Sequence, residues 1–346
     1  MENPDIRHWM YATGSGSVDG MLTMTDVLRA RRLLAPHLPP TPAWSYPLLD
    51  EAAGRSLVVK HENAQPTGAF KVRGALNLLL ADRGTGPIVT YSTGNHARAI
   101  AYAARAARRA ATIVMPVTAA ELKVRAVQAL GATVDLFGDT MGEAEARAQE
   151  LAGEQRERSE RSEQREQRGQ RERRARLVSP GDEPALVAGV ATAYLELFEQ
   201  HPGLDTVVVP VGSGTGAAAA CIVANAVSPS TKIIAVQSDK APAAHDSWHR
   251  RTCLHRPNTT RVDGLATGRG FAGPQEILRR YLHDFVLVSD DDIDDARRLL
   301  ARRAHTQAEG AGAAALAAVH RHPGLMGTRV GVIVTGGNAT EEELGR

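Results

Sequence analysis

Four short segments carry residues able to do chemistry. The first is Lys60-His61-Glu62-Asn63-Ala64-Gln65-Pro66-Thr67-Gly68-Ala69-Phe70-Lys71-Val72-Arg73-Gly74-Ala75. Pro66, Thr67 and Gly68 predict a turn, after which Lys71 opens a helix. A lysine in a partly buried cleft loses its proton through desolvation and becomes a nucleophile toward carbonyls. Alone, a lysine in a loop reads as a surface charge. The second is Ser92-Thr93-Gly94-Asn95-His96, after the run Ile88–Tyr91 and before an Ala-rich helix over Ala97–Ala107. Hydroxyls and backbone N–H groups at a helix N-terminus suit an anion such as a substrate carboxylate. Plain N-capping by Ser92 or Thr93, with His96 a satisfied imidazole, explains the same residues. The third is Gly212-Ser213-Gly214-Thr215-Gly216, between the run Thr206–Val211 and a helix over Ala217–Ala226. Strand, glycine turn, helix is the setting in which backbone amides cradle a phosphate. It lacks the Gly-Lys-Ser/Thr ending of a P-loop and the third glycine of a dinucleotide fingerprint. The fourth is Thr335-Gly336-Gly337-Asn338, after Val330–Val334. A hydroxyl at the C-terminal end of a strand lies where α/β proteins bind ligands.

The elements that must position these segments are legible. β-Branched runs recur at Leu57–Val59, Ile88–Tyr91, Thr112–Val117, Thr133–Phe137, Thr206–Val211, Ile233–Gln237, Phe285–Val288 and Val330–Thr335, with Ala-rich helical stretches between them. Most are continuously apolar, as strands covered on both faces are. The alternation predicts an α/β protein with mostly parallel, helix-covered sheets. Ser289 and Asp292 form a capping-box opening, and Ala296, Leu299, Leu300 and Ala304 then make a core-facing stripe.

The chain has 346 residues, a length that suggests about two domains. Its 41 Lys+Arg against 39 Asp+Glu give no overall field to recruit nucleic acid. Cys221 and Cys253 are too few for a disulfide framework. Met1–Gly20 has no apolar core and does not read as a signal peptide, and no stretch suits a bilayer. The expectation is a soluble, cytoplasmic protein. One segment differs: residues 154–176 hold nine Arg, six Glu and no large apolar residue. It reads as a solvated, low-complexity insertion that could extend the preceding helix through Glu154/Arg158 and Glu157/Arg161 pairs, with Glu172/Arg176 a third such pair. Without aromatic residues to stack on bases, a nucleic-acid role is disfavoured.

Together the four motifs resemble the pyridoxal-phosphate enzymes of the tryptophan-synthase-β fold type (fold type II), in the serine/threonine dehydratase branch that also holds serine racemases. The resemblance runs from Leu38-Pro39-Pro40-Thr41-Pro42 to Thr335-Gly336-Gly337-Asn338, apart from the insertion. Ser92–His96, Gln237-Ser238 through Ala241-Pro242-Ala243, and Asp263-Gly264-Leu265-Ala266-Thr267 look most like dehydratases of hydroxyectoine utilisation. It implies pyridoxal 5'-phosphate as cofactor, with Lys71 holding its aldehyde as an imine. Asn95 would bond the ring oxygen, Gly212, Ser213, Gly214, Thr215 and Gly216 would bind the phosphate, Thr335 would face the pyridine nitrogen, and Phe70 and Glu309 would lie beside the ring. The substrate carboxylate would dock at Ser92, Thr93, Asn95 and His96. Lys71 would then take the Cα proton. The β-hydroxyl would leave, protonated by the cofactor phosphate. The implied function is an ammonia-lyase turning a 3-hydroxy amino acid such as L-threonine or L-serine into a 2-oxo acid and ammonia.

Departures from the family pattern bear on this reading. Ala69 replaces a common Ser before the Phe-Lys pair, the phosphate loop has Ser213 and Thr215 in place of glycines, and Gly189-Val190-Ala191-Thr192 replaces a Gly-Gln-Gly-Thr loop. Gln237 and Ala243 stand where metal-dependent relatives carry carboxylates, so no magnesium or calcium is expected there. Thr93 keeps a hydroxyl near the point where racemizing relatives use a serine, which leaves amino-acid racemase as an alternative. β-Replacement synthase is another, and a ligand sensor or nucleic-acid binder a non-enzymatic one. The resemblance divides the chain into a small domain, 87–180, and a large one, 1–86 with 181–346. Gly181 and Asp182 are expected near the side-chain pocket, and a homodimer or homotetramer is expected.

Overall fold

The computed structural model describes residues 22–163 and 175–345. The chain opens with α1 (Met24–Leu34), β1 (Ala43–Trp44), α2 (Pro47–Ala53) and β2 (Ser56–His61). Then come α3 (Lys71–Ala81), β3 (Ile88–Tyr91), α4 (Asn95–Ala106), β4 (Ala111–Met115), α5 (Glu121–Ala129) and β5 (Thr133–Leu136). α6 (Met141–Glu163), β6 (Arg176–Val178), α7 (Pro184–Gln200), β7 (Thr206–Pro210) and α8 (Thr215–Val227) follow. The remainder is β8 (Lys232–Ser238), α9 (Ala243–His249), α10 (Ala272–Tyr281), β9 (Asp284–Val288), α11 (Asp290–Ala304), α12 (Gly310–Arg321), β10 (Arg329–Val334) and α13 (Glu341–Gly345).

The strands form two sheets. One has six strands in the order β1-β2-β10-β7-β8-β9 and the other four in the order β5-β4-β3-β6. Among the described residues every strand pairing is parallel except β1 with β2. Strands β3, β7 and β10 are almost wholly buried, as their unbroken apolar runs require. All eight runs read from the sequence are strands. The two that escaped, β1 and β6, have two and three residues, too few to show a pattern. The helix read at Ala97 starts two residues earlier, at Asn95, and the one read at Ala217 starts at Thr215, so motif residues themselves form the first turns.

Ser289 and Asp292 form the expected capping box on α11, and Ala296, Leu300 and Ala304 lie buried in its stripe, with Leu299 packed at the edge. The long helix α6 runs into the Arg/Glu-rich segment as far as Glu163. Residues 164–174, including Glu172 of the third expected ion pair, lie outside the described residues. Arg176 instead begins β6 and bonds Asp82 and Glu183 at 3.0 Å each.

The Gly189–Thr192 stretch, whose role the sequence left open, lies inside α7, where it meets α3. A Cβ on Gly189 would come within 2.4 Å of the Arg73 carbonyl, and one on Gly74 within 2.7 Å of the Leu186 carbonyl. The reciprocal glycines let the backbones of α3 and α7 touch. Below this crossing lies a buried polar cluster. Arg73 donates to both oxygens of Glu62 (2.7 and 2.9 Å) and both of Glu196 (2.6 and 2.7 Å). Lys60 Nζ donates to Glu196 at 2.8 Å and to the Thr41 carbonyl at 2.7 Å. The crossing and the cluster fix the helix that begins at Lys71.

Candidate active site

One cavity of about 480 Å³ opens between the two sheets. Its wall includes all the candidate site residues: Phe70 and Lys71; Ser92, Thr93, Asn95 and His96; Gly212 through Gly216; Glu309; and Thr335. They arrive from the starts of α3, α4, α8 and α12 and the end of β10, places where loops leave parallel strands or helices begin.

Lys71 is the first residue of α3, and its Nζ sits 6.0 Å from the Phe70 ring centroid. Burial pushes its amine down to about 8, against the pull of the Glu309 carboxylate. A useful fraction is therefore neutral near physiological pH, as a nucleophile or base requires. Glu309 is itself pushed up to about 7 by burial, while the Asn95 amide bonded to it pulls the other way. The turn before Lys71 is tied to the fourth motif: Phe70 N–H donates to the Thr335 carbonyl at 2.9 Å, and Gly337 N–H to the Gly68 carbonyl at 2.9 Å.

The second motif forms the loop and first turn of α4. Ser92 Oγ accepts from Gly94 N–H at 3.2 Å. His96 is buried: its Nε2 lies 3.1 Å from Thr90 Oγ1, whose own proton goes to the Val178 carbonyl at 2.7 Å. Nε2 must therefore be the donor in that contact, and burial holds the imidazole well below its ordinary titration range. The ring is neutral and donates through Nε2 to Thr90, so what His96 offers a carboxylate is its backbone N–H at the helix start.

The glycine loop leads into α8 with Gly214 at φ +92°, a conformation that favours glycine. Gly212 is also required, since a Cβ there would come within 2.5 Å of the Gly264 carbonyl. The first-turn N–H groups of α8 have no intrahelical acceptor. Buried Ser213 and Thr215 hydroxyls lie 3.1 Å apart beside them. The cleft can accept a dianion at this end, a carboxylate at α4, and a carbonyl carbon at Lys71.

Several cavity residues had no role in the sequence reading: Tyr91, Arg98, Lys123, Glu145, Arg269 and Asn338. Lys123, Glu145 and Arg269 come singly from separate places in the chain, where no local pattern announces them, while Tyr91, Arg98 and Asn338 border or end a motif whose pattern gave them no role. The segment Asp263–Thr267, quoted above only for its likeness, also lines the cavity and covers the glycine loop; Thr267 Oγ1 donates to the Gly212 carbonyl at 3.1 Å. Tyr91 OH donates to Glu145 Oε1 at 2.6 Å, and Arg269 Nη2 donates to the same oxygen at 3.0 Å. Arg269 also lies 4.8 Å from the Phe271 ring centroid. Gly181 and Asp182 stand behind this wall: a Cβ on Gly181 would strike the Phe271 ring at 2.3 Å, and Asp182 accepts from Gly273 N–H at 3.3 Å. At the position considered for a cation, Gln237 Oε1 accepts from His245 N–H at 3.1 Å, and its buried Nε2 has no partner among the described residues. Among those residues no group of three His, Cys, Asp or Glu side chains could hold a metal ion.

Comparison with known proteins places this geometry in context. A family model described as "Pyridoxal-phosphate dependent enzyme" matches residues 34–336. The L-threonine ammonia-lyase of Thermotoga maritima is 33% identical over 326 residues, covering 92% of this chain and 76% of that protein. The beta-hydroxyaspartate dehydratase of Paracoccus denitrificans is 32% identical over 329 residues, covering 93% and 98%. Among solved structures, maize serine racemase superposes with a TM-score of 0.82 at 28% identity, covering 93% of this chain and 95% of that one. A bacterial threonine deaminase does so with a TM-score of 0.79 at 32% identity, covering 92% and 99%.

Proposed function

The chain belongs to the pyridoxal-phosphate-dependent enzyme family, and from that premise we propose an ammonia-lyase that removes the β-hydroxyl and the amino group of a 3-hydroxy amino acid such as L-threonine or L-serine. The products are a 2-oxo acid and ammonia. The observation that carries this reading is the convergence, on one cavity, of a lysine whose amine is buried and two separate loops that open helix N-termini suited to anions.

The residues present fit the cofactor. The glycine loop is a cradle that side chains at Gly212 and Gly214 would spoil. Lys71 would hold the aldehyde, Asn95 the ring oxygen, and the α8 N-terminus with Ser213 and Thr215 the phosphate; Phe70 and Glu309 would flank the ring. When bound, pyridoxal phosphate supplies an electron sink that acidifies the substrate Cα–H bond. The chain's own residues do the rest. The α4 N-terminus, with Ser92, Thr93, Asn95 and the His96 N–H, holds the carboxylate. Lys71 Nζ, freed when substrate takes its place, accepts the Cα proton. Thr335 would present a neutral hydroxyl to the pyridine nitrogen. Unlike a carboxylate it would not favour a protonated ring, which would favour prompt loss of a β-substituent.

The small domain of this enzyme is residues 87–180, and the four-stranded sheet, built from residues 88–178, supports that division. The enzyme works as a homodimer or homotetramer in the cytoplasm, without a bound magnesium or calcium at Gln237. Among the described residues no helix is long and apolar enough to cross a membrane.

The test is a coupled assay of purified, cofactor-loaded protein on L-threonine, L-serine and their 3-hydroxy analogues. Release of oxo acid and ammonia in equal amounts is expected. Release from none of them, or formation of the D-enantiomer alone, would overturn the reading. Adding a thiol or amine tests β-replacement, which would give a new amino acid instead of ammonia.

A further inference from the structure

Asn338, the last residue of the fourth motif, has no part in the mechanism above, yet its amide is held on three sides. Its Oδ1 accepts from Arg98 Nη1 at 2.6 Å. Its Nδ2 donates to the Thr67 carbonyl at 2.9 Å and to Asn95 Oδ1 at 2.8 Å. The two ends of an amide are chemically opposite, and its partners decide which end faces which way. A guanidinium only donates and a backbone carbonyl only accepts, so Arg98 and Thr67 together leave Asn338 one orientation. That orientation leaves Asn95 one choice as well. Its oxygen must face Asn338, and its Nδ2 turns the other way, where one proton goes to Glu309 Oε1 at 2.6 Å. The turn before Lys71 is shaped around the same side chain. Gly68 has φ +71°, and a Cβ there would meet Asn338 Oδ1 at 2.5 Å.

We propose that Asn338 is a positioning residue that keeps the donor end of the Asn95 amide turned into the cavity, so that Asn95 donates to the cofactor's ring oxygen and cannot accept from it. The proposal rests on the reading that Asn95 faces that oxygen. Its consequence is electronic. A fixed donor stabilises the ionised ring hydroxyl, whereas a carbonyl oxygen in its place would stabilise the neutral hydroxyl. The chain Arg98–Asn338–Asn95–Glu309 also joins α4, which packs with the four-stranded sheet, to the loops of the six-stranded sheet.

The experiment is the absorption spectrum of the purified holoprotein, which separates the ionised (visible) from the neutral (near-ultraviolet) form of the ring hydroxyl. Asn338→Asp keeps the contact with Arg98 but presents only acceptors to Asn95, whose amide then flips to donate to it, its oxygen turning to Glu309, a carboxyl that burial lets keep a proton to donate. The visible-to-near-ultraviolet ratio is expected to fall by about tenfold, the scale of one hydrogen bond to a charged group. An added negative charge acting at a distance would also lower it, so the same substitution is made with Asn95→Ala. In that background Asn338→Asp should leave the ratio where Asn95→Ala alone puts it. An equal fall with and without Asn95, or no fall in the single variant, overturns the proposal. If Asn338→Asp does not fold, Asn338→Ala in the two backgrounds gives the same comparison with a smaller expected shift. A wild-type protein with no visible band after reconstitution would instead bring down the Lys71 and Asn95 assignments on which this one stands.

Discussion

Lys71 resembles any surface lysine in the sequence, and only its surroundings make it chemical. Burial pushes its amine down to about 8, so it attacks an aldehyde only in the fraction that has lost its proton. The rate at which apoprotein captures cofactor should therefore fall about tenfold per pH unit below that value and level off above it, followed by stopped-flow absorbance. A rate that keeps climbing about tenfold per unit up to pH 9, with no levelling, would mean that the amine is not desolvated. Lys71→Ala should lower ammonia release by at least about a thousandfold while the protein still melts cooperatively. The motif residues were readable because each cluster is a strand-loop-helix unit with its own local pattern. Glu145, Arg269 and Tyr91 were not, because they meet only in three dimensions. Arg269→Ala should raise KM for substrate more than it lowers kcat, since it removes a wall of the cavity and leaves Lys71 in place.

At the scale of elements, α3 must hold Lys71 still, and the buried cluster beneath it serves that end. The sequence hides this cluster, since Lys60, Glu62, Arg73 and Glu196 read as ordinary surface charges. Burial alone would raise the Glu62 carboxyl, but Arg73 overrides it and holds the group below the usual range. The stabilisation from this carboxylate is complete above its unfolded pKa of about 4.3 and is lost as pH falls through the lower folded value. Arg73→Met should cost about 3–5 kcal/mol in urea unfolding at pH 7, because two buried carboxylates lose their partner. The cost should shrink near pH 4, where a proton can replace the guanidinium. An equal cost at both pH values would show that packing, not charge, is at stake. The glycines of the α3–α7 crossing were equally unreadable, since a lone helix glycine shows nothing of the backbone that approaches it.

At the scale of the whole molecule, helix-covered, mostly parallel sheets follow from the alternation of apolar runs and Ala-rich helices, and that much was legible; their division into two units came only from the family resemblance. How the halves meet was not. Two ion pairs bridge the cleft, Lys123 with Asp263 and Arg269 with Glu145, each formed by residues more than a hundred positions apart. Both pairs are partly exposed and so screened by salt. KM is expected to rise with ionic strength, and Glu145→Gln to flatten that rise, in steady-state assays at several salt concentrations. Every part of the account converges on one covalent link between the cofactor and the protein. Borohydride reduction of the reconstituted protein, followed by proteolysis and mass spectrometry, tests it most directly. A single pyridoxyl phosphate adduct on Lys71 is predicted. No adduct, or an adduct on another lysine with Lys71 unmodified, would contradict it.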